Sequence, residues 1–88
     1  VIRAFKPSPD VLTARLSEEA VLLDLATKDY YRLNETGAAI WNGLERGLTP
    51  DVIEAELCTA FDVDPAEAAE RIDQFLAELS SRGLIAEA

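Results

Sequence analysis

Glu67, Glu70, Asp73 and Glu78 recur at helical spacing in the last third of the chain. Carboxylates at such spacing are the one acid–base set this sequence offers, since it contains no histidine. General acid–base work needs a second group to hold the substrate or share the proton, and none accompanies them. They read as the solvated face of an amphipathic helix. Asp62-Val63-Asp64 has the look of the start of a calcium loop, but the loop spacing, its glycine and its terminal glutamate are missing. The single cysteine, Cys58, has no second thiol to pair with and no imidazole to activate it. It reads as a small apolar side chain. There is no glycine-rich phosphate loop. The expectation is a protein that is not an enzyme, with no catalytic residues, no metal and no cofactor.

Charge narrows the partners. Lys and Arg total 8 against 17 Asp and Glu, a net of −9. Residues 1–34 balance, so the excess lies in residues 35–88. A nucleic-acid backbone requires clustered Lys and Arg, and this balance opposes it. By charge, a basic peptide or protein surface fits better. No run of apolar residues approaches a membrane span, and the N-terminus does not resemble a signal peptide, so cytoplasmic residence is expected. At 88 residues the chain reads as one domain, residues 1–88.

The elements that must position these groups follow from periodicity. Pro7-Ser8-Pro9-Asp10 favours an extended lead-in. Val11–Leu16 alternates with period two, with Leu12, Ala14 and Leu16 on one face and Val11, Thr13 and Arg15 on the other. Ala20–Leu25 is a second strand and Tyr30–Leu33 a third. Short polar breaks between them read as an antiparallel meander. The period then changes. Asn34 is a good N-cap for a helix from Glu35 to Arg46, whose apolar stripe is Ile40, Trp41 and Leu44. Thr49-Pro50-Asp51 starts a second helix carrying Ile53, Leu57 and Phe61. Asp64-Pro65-Ala66-Glu67 combines an N-cap, a first-position proline and a capping-box acid. The third helix carries Ala68, Ile72, Phe75, Leu76 and Leu79 at the spacing of one buried face, and Leu84-Ile85 returns as an extended tail. Strands segregated from helices predict an α+β fold with the helices on one face of the sheet.

Two adjacent helices after a sheet also suggest a winged-helix regulator contacting DNA. The acids of the second and third helices oppose that reading. The other opening is the sheet edge. A meander leaves outer strands unpaired, and a free edge beside a helix accepts an extended peptide as an added strand. Tyr30 and Tyr31 then either pack the core or belong to such an edge. The same free edge makes a monomer or a weak dimer the expected state.

Leu22-Leu23-Asp24, Tyr30-Tyr31-Arg32-Leu33-Asn34-Glu35-Thr36-Gly37 and Ile40-Trp41 resemble the PqqD-like family of precursor-peptide recognition elements. Leu57, Phe61-Asp62-Val63, Phe75-Leu76, Leu79 and Gly83-Leu84-Ile85 extend the resemblance over about residues 11–86. It implies a winged helix-turn-helix-like fold with a three-stranded antiparallel sheet followed by three helices. It implies non-catalytic binding of the leader segment of a ribosomally made precursor peptide, docked as a fourth strand on the third strand. It further implies delivery to a leader peptidase or another maturation enzyme. In the PqqD of pyrroloquinoline quinone synthesis a Pro-Glu pair and a Cys-Asp-Gly-like segment are expected. Leu23-Asp24-Leu25 and Glu45-Arg46-Gly47 stand there instead. The Tyr-Tyr-Arg-Leu-Asn run with Thr-Gly and Ile-Trp is more similar to the stand-alone leader-binding proteins of lasso peptide pathways.

On that resemblance, Lys28, Asp29, Tyr30, Tyr31, Arg32 and Leu33 supply the receiving strand. Projecting the third helix at 100° per residue puts Arg71, Phe75, Glu78 and Arg82 on one shoulder of the buried stripe, within about 60° of each other. Leu76, Ala69, Ser80 and Asp73 make the other shoulder. The first offers an aromatic ring and hydrogen-bonding charges, so Arg71, Gln74, Phe75, Glu78 and Arg82 are the expected binding residues on the helix.

Overall fold

Alternation and capping account for most of the architecture of the computed structural model, which describes residues 4–87. The elements run β1 (Phe5–Pro7), β2 (Val11–Leu16), β3 (Glu19–Asp24), β4 (Asp29–Leu33), α1 (Glu35–Glu45), α2 (Pro50–Phe61), α3 (Pro65–Ser81) and β5 (Ile85–Glu87). Strands β2, β3 and β4 form an antiparallel meander in that order, as the sequence predicts. The second strand begins and ends one residue earlier than its periodicity suggests. The extended lead-in and tail are not loose: β1 and β5 pair antiparallel, Phe5 opposite Glu87, as a separate two-stranded sheet.

The helices start where local chemistry says they should. The Asn34 side chain accepts from the Gly37 backbone N–H at 2.9 Å, and the Asp64 carboxylate accepts from that of Ala66 at 3.1 Å. Arg46 caps the end of α1 rather than belonging to it. Asp62 closes α2 in the left-handed region, with φ of 52°.

The helices cover one face of the meander. Leu22 and Leu33 from the sheet meet Ile40, Trp41 and Leu44 of α1, Ile53 and Leu57 of α2, and Ala68, Ile72, Leu76 and Leu79 of α3 in one buried core. Leu84 and Ile85 close it. Which face of β2 turns inward is not the one its hydrophobicity suggests. Val11 packs against the core and Thr13 points to α1, while Leu12 and Leu16 stay 54% and 55% exposed. The reason is a polar tether. The Trp41 indole N–H donates to Thr13 Oγ1 at 2.9 Å, and the Thr13 hydroxyl donates to Glu45 at 3.0 Å. Arg15 bridges Glu45 and Asn42 beside them.

Gly43 of α1 packs directly against Ile53 of α2. A Cβ there would lie 2.7 Å from Cγ1 of Ile53, a buried side chain with no room to retreat. Overpacking of this kind costs about 1–3 kcal/mol, and alanine's better helix propensity recovers about 1 kcal/mol. Gly43→Ala should therefore lower stability in a urea melt by up to about 2 kcal/mol. A stabilised variant would mean that the two helices are free to move apart.

Candidate peptide-binding groove

The free edge of β4 faces α3 across an open groove, and the direction of its backbone groups can be read from the hairpin. The Asp24 carbonyl accepts from Lys28 N–H at 2.7 Å, so it points toward β4. Leu25 N–H donates to the Asp10 carbonyl at 2.9 Å, on the β2 side. In an antiparallel ladder a residue's N–H and C=O point the same way, and neighbours alternate. Leu22 and Asp24 therefore bond across to Tyr31 and Asp29, their partners in register. Tyr30 and Arg32 turn their N–H and C=O groups outward, into the groove. Their side chains lie on the sheet face away from the helices, where Tyr30 is 75% exposed. Tyr31 and Leu33 point inward against the core.

The groove encloses about 560 Å³. Gly37, Ile40, Leu79 and Leu84 make an apolar floor, with Phe75 half-buried on the α3 wall. The missing side chain of Gly37 keeps the floor open, since a Cβ there would stand 3.6 Å from the Phe75 ring. The charged groups of the α3 wall are Arg71, Glu78 and Arg82. Arg71 pairs with Glu67 at 3.0 Å, and Arg82 with Glu78 at 3.3 Å. The Arg82 guanidinium also sits 5.0 Å from the centre of the Tyr31 ring, joining the end of α3 to β4. Tyr31 as a hydrogen-bond acceptor raises the Arg82 pKa above its ordinary value, against the opposing effect of burial. The Glu78 carboxylate acts in the same direction as Tyr31.

Of the residues expected from the sequence, the structure gathers Tyr30, Tyr31, Arg32, Leu33, Arg71, Phe75, Glu78 and Arg82 around this groove. Lys28, Asp29 and Gln74 stand outside its lining. Lys28 occupies the hairpin turn in the left-handed region, at φ of 64°. Asp29 begins β4 next to that turn, and the Gln74 amide reaches back along α3 to Glu70 at 3.4 Å. Asn34, Thr36, Gly37, Ile40 and the core residues Leu79 and Leu84 join the lining without having been singled out as site residues. The net charge also misleads at this point. It favours a basic partner, yet the charged side chains that α3 and its cap present to the groove are two arginines, Arg71 and Arg82, and one glutamate, Glu78.

Among the described residues no group of His, Cys, Asp or Glu side chains is placed to hold a metal ion, and no helix is long and apolar enough to cross a membrane. No curated protein matches the sequence. The family model for coenzyme PQQ synthesis protein D, PqqD, matches residues 19–85. The chain belongs to the PqqD family.

Two solved structures of similar fold carry the comparison further. The first is TbiB1 in complex with the TbiA(beta) leader peptide. It is 34% identical, with a TM-score of 0.87, covering 91% of this chain and 93% of that one. The second is a lasso peptide synthetase B1 complexed with the leader peptide. It is 27% identical, with a TM-score of 0.84, covering 93% of this chain and 96% of that one. The three-stranded meander followed by three helices is thus the PqqD-like α+β fold.

Proposed function

We propose that this PqqD-family domain binds the leader segment of a ribosomally made precursor peptide in lasso peptide biosynthesis, and that it does so without catalysis. The observation that carries the reading is the free edge of β4 opposite α3. Tyr30 and Arg32 offer outward backbone donors and acceptors on one side of a groove. Phe75 and the apolar floor offer side-chain contacts on the other. An extended peptide laid there becomes a fourth strand, with affinity from the backbone and selectivity from the alternate side chains that face α3. Both structural relatives are leader-peptide complexes, which supports the same ligand class here.

Presentation to a leader peptidase or another maturation enzyme is the second half of the proposal. The outer face of the meander suits it. Leu12, Leu23 and Tyr30 lie in one cross-strand row, with Ala14 and Val21 in the next. Leu12, Leu16, Leu25 and Tyr30 are all large exposed apolar side chains. Contiguous exposed apolar surface marks a protein contact more often than bare solvent exposure. This face is separate from the helices, so a docked enzyme leaves the groove to the peptide.

A titration of labelled leader peptide against three variants tests the groove. Phe75→Ala removes the wall's aromatic contact and Arg71→Ala one of its cations, while Asp73 lies on the other shoulder of α3. The first two should weaken binding about 10-fold or more, and Asp73→Ala less than 2-fold. The opposite ranking would place the peptide on the wrong side of the helix.

A further inference from the structure

We infer that the peptide taken up by this groove carries carboxylates on side chains facing α3, two of them four positions apart with an apolar residue midway. The inference rests on the strand-addition reading and concerns the chemistry of the ligand. It starts from an inversion of charge. The chain has a net charge of −9, yet the α3 wall of the groove presents Arg71 and Arg82 on either side of Phe75 and Glu78.

These arginines are available to a ligand. Among the described residues each is ion-paired with a glutamate one turn away on its own helix, Arg82 also lying against the Tyr31 ring, and the side chains of Arg71 and Arg82 are 51% and 46% exposed. Exposed pairs of this spacing hold weakly, and a guanidinium has five N–H donors, more than one carboxylate uses. A peptide lying in the groove strips water from both guanidinium groups. A cation that loses its water beside apolar surface is costly unless new acceptors replace it. A peptide carboxylate supplies such acceptors, and arginine binds it in a two-pronged geometry. A peptide lysine at the same place would instead meet a like charge in a drying groove.

Spacing fixes the pattern. Eleven residues separate Arg71 from Arg82, about 16 Å along a helix. In an extended peptide, side chains at positions i, i+2 and i+4 face the same way and span about 13 Å. The length of two arginine side chains covers the difference. Position i+2 then falls over Phe75, Gly37 and Ile40, where the floor is apolar. Tyr31, stacked under Arg82, holds that cation at the end of the groove.

The test uses a display library of random twelve-residue peptides selected on the purified wild-type domain. The expected result is enrichment of Asp or Glu at two positions four apart, with an apolar residue between them. In the best peptide, changing either acid to Lys should weaken binding about tenfold or more. Arg71→Glu should reverse the preference at one of the two positions, favouring the Lys peptide, with circular dichroism as the check on folding. Enriched peptides without acids at these positions, or with Lys and Arg there, would overturn the inference and leave strand addition standing. A library that yields no binder at all would overturn both.

Discussion

Arg32→Pro should fold and yet lose its peptide by about 10- to 100-fold, while Tyr31→Pro should break the sheet. The two positions are neighbours in β4, Tyr31 packed against the core and Arg32 exposed, but it is not the side chains that decide what a proline does at each. What separates them is the direction of one N–H. The Arg32 N–H points into the groove, because the Asp24 carbonyl and its register partners commit Tyr31 and Asp29 to the ladder with β3. Proline is tolerated on an edge strand where the missing donor faces outward, and it requires an extended residue before it, which Tyr31 is. The internal ladder therefore survives in Arg32→Pro. The incoming peptide loses a donor for one of its carbonyls, a loss of about 1–3 kcal/mol. Arg32→Ala, which removes only the exposed pair with Glu19, is the control and should bind nearly as the parent does. In Tyr31→Pro the lost donor is one that bonds to β3, at a cost to stability of about 2–4 kcal/mol. Urea melts and peptide titrations on the three variants check the set. If Arg32→Pro bound as tightly as the parent, the peptide would not be adding to this edge.

Trp41→Ala should cost about 3–5 kcal/mol, the range for removing a large aromatic from a core. The side chain is wholly buried at the point where α1 crosses the sheet. Its indole N–H also anchors Thr13, and through Thr13 the Glu45, Arg15 and Asn42 set that tethers β2. A domain of this length has a total stability of about 4–13 kcal/mol, so the substitution removes much of it. In a urea melt the midpoint should fall steeply, and if the parent lies at the low end of that range a sizeable unfolded fraction is already present without denaturant. A shift below 1 kcal/mol would mean that β2 and α1 are held by something other than this residue.

The parts legible in the sequence were those set by neighbours in the chain. Asn34 and Asp64 announce their helices because a capping side chain reaches only two or three residues ahead. The helix period put Arg71, Phe75, Glu78 and Arg82 together on one of two shoulders, side-chain chemistry chose between the two, and the structure turns that shoulder toward β4. What escaped was set by residues far apart. Phe5–Pro7 and Ile85–Glu87 are three-residue strands, one ending in proline, and neither shows a period; only the closed fold brings them together. On β2, hydrophobicity points to Leu12, Ala14 and Leu16 as the buried face. The Trp41 bond to Thr13 selects the other. The groove floor draws Gly37 and Ile40 from α1, Leu79 from α3 and Leu84 from the segment after it, a set that no local pattern gathers. Lys28 and Asp29 were expected as part of the receiving strand and Gln74 beside the helix shoulder, and all three stand outside the groove lining. A turn carries the first two past the end of the groove, and the third sits a quarter-turn around the helix.

The pairing of Phe5 with Glu87 has an architectural corollary. The first and last described strands lie side by side, so the fold between them is shaped like a cassette with Phe5 and Glu87 at one corner. Spliced into a surface loop of a larger protein, it would ask that loop to open by only the gap between two paired strands. A permuted version, joined across that corner by a short flexible bridge and opened at the Ser17-Glu18 hairpin tip, would keep β4, α3 and the groove between them in unbroken stretches of chain.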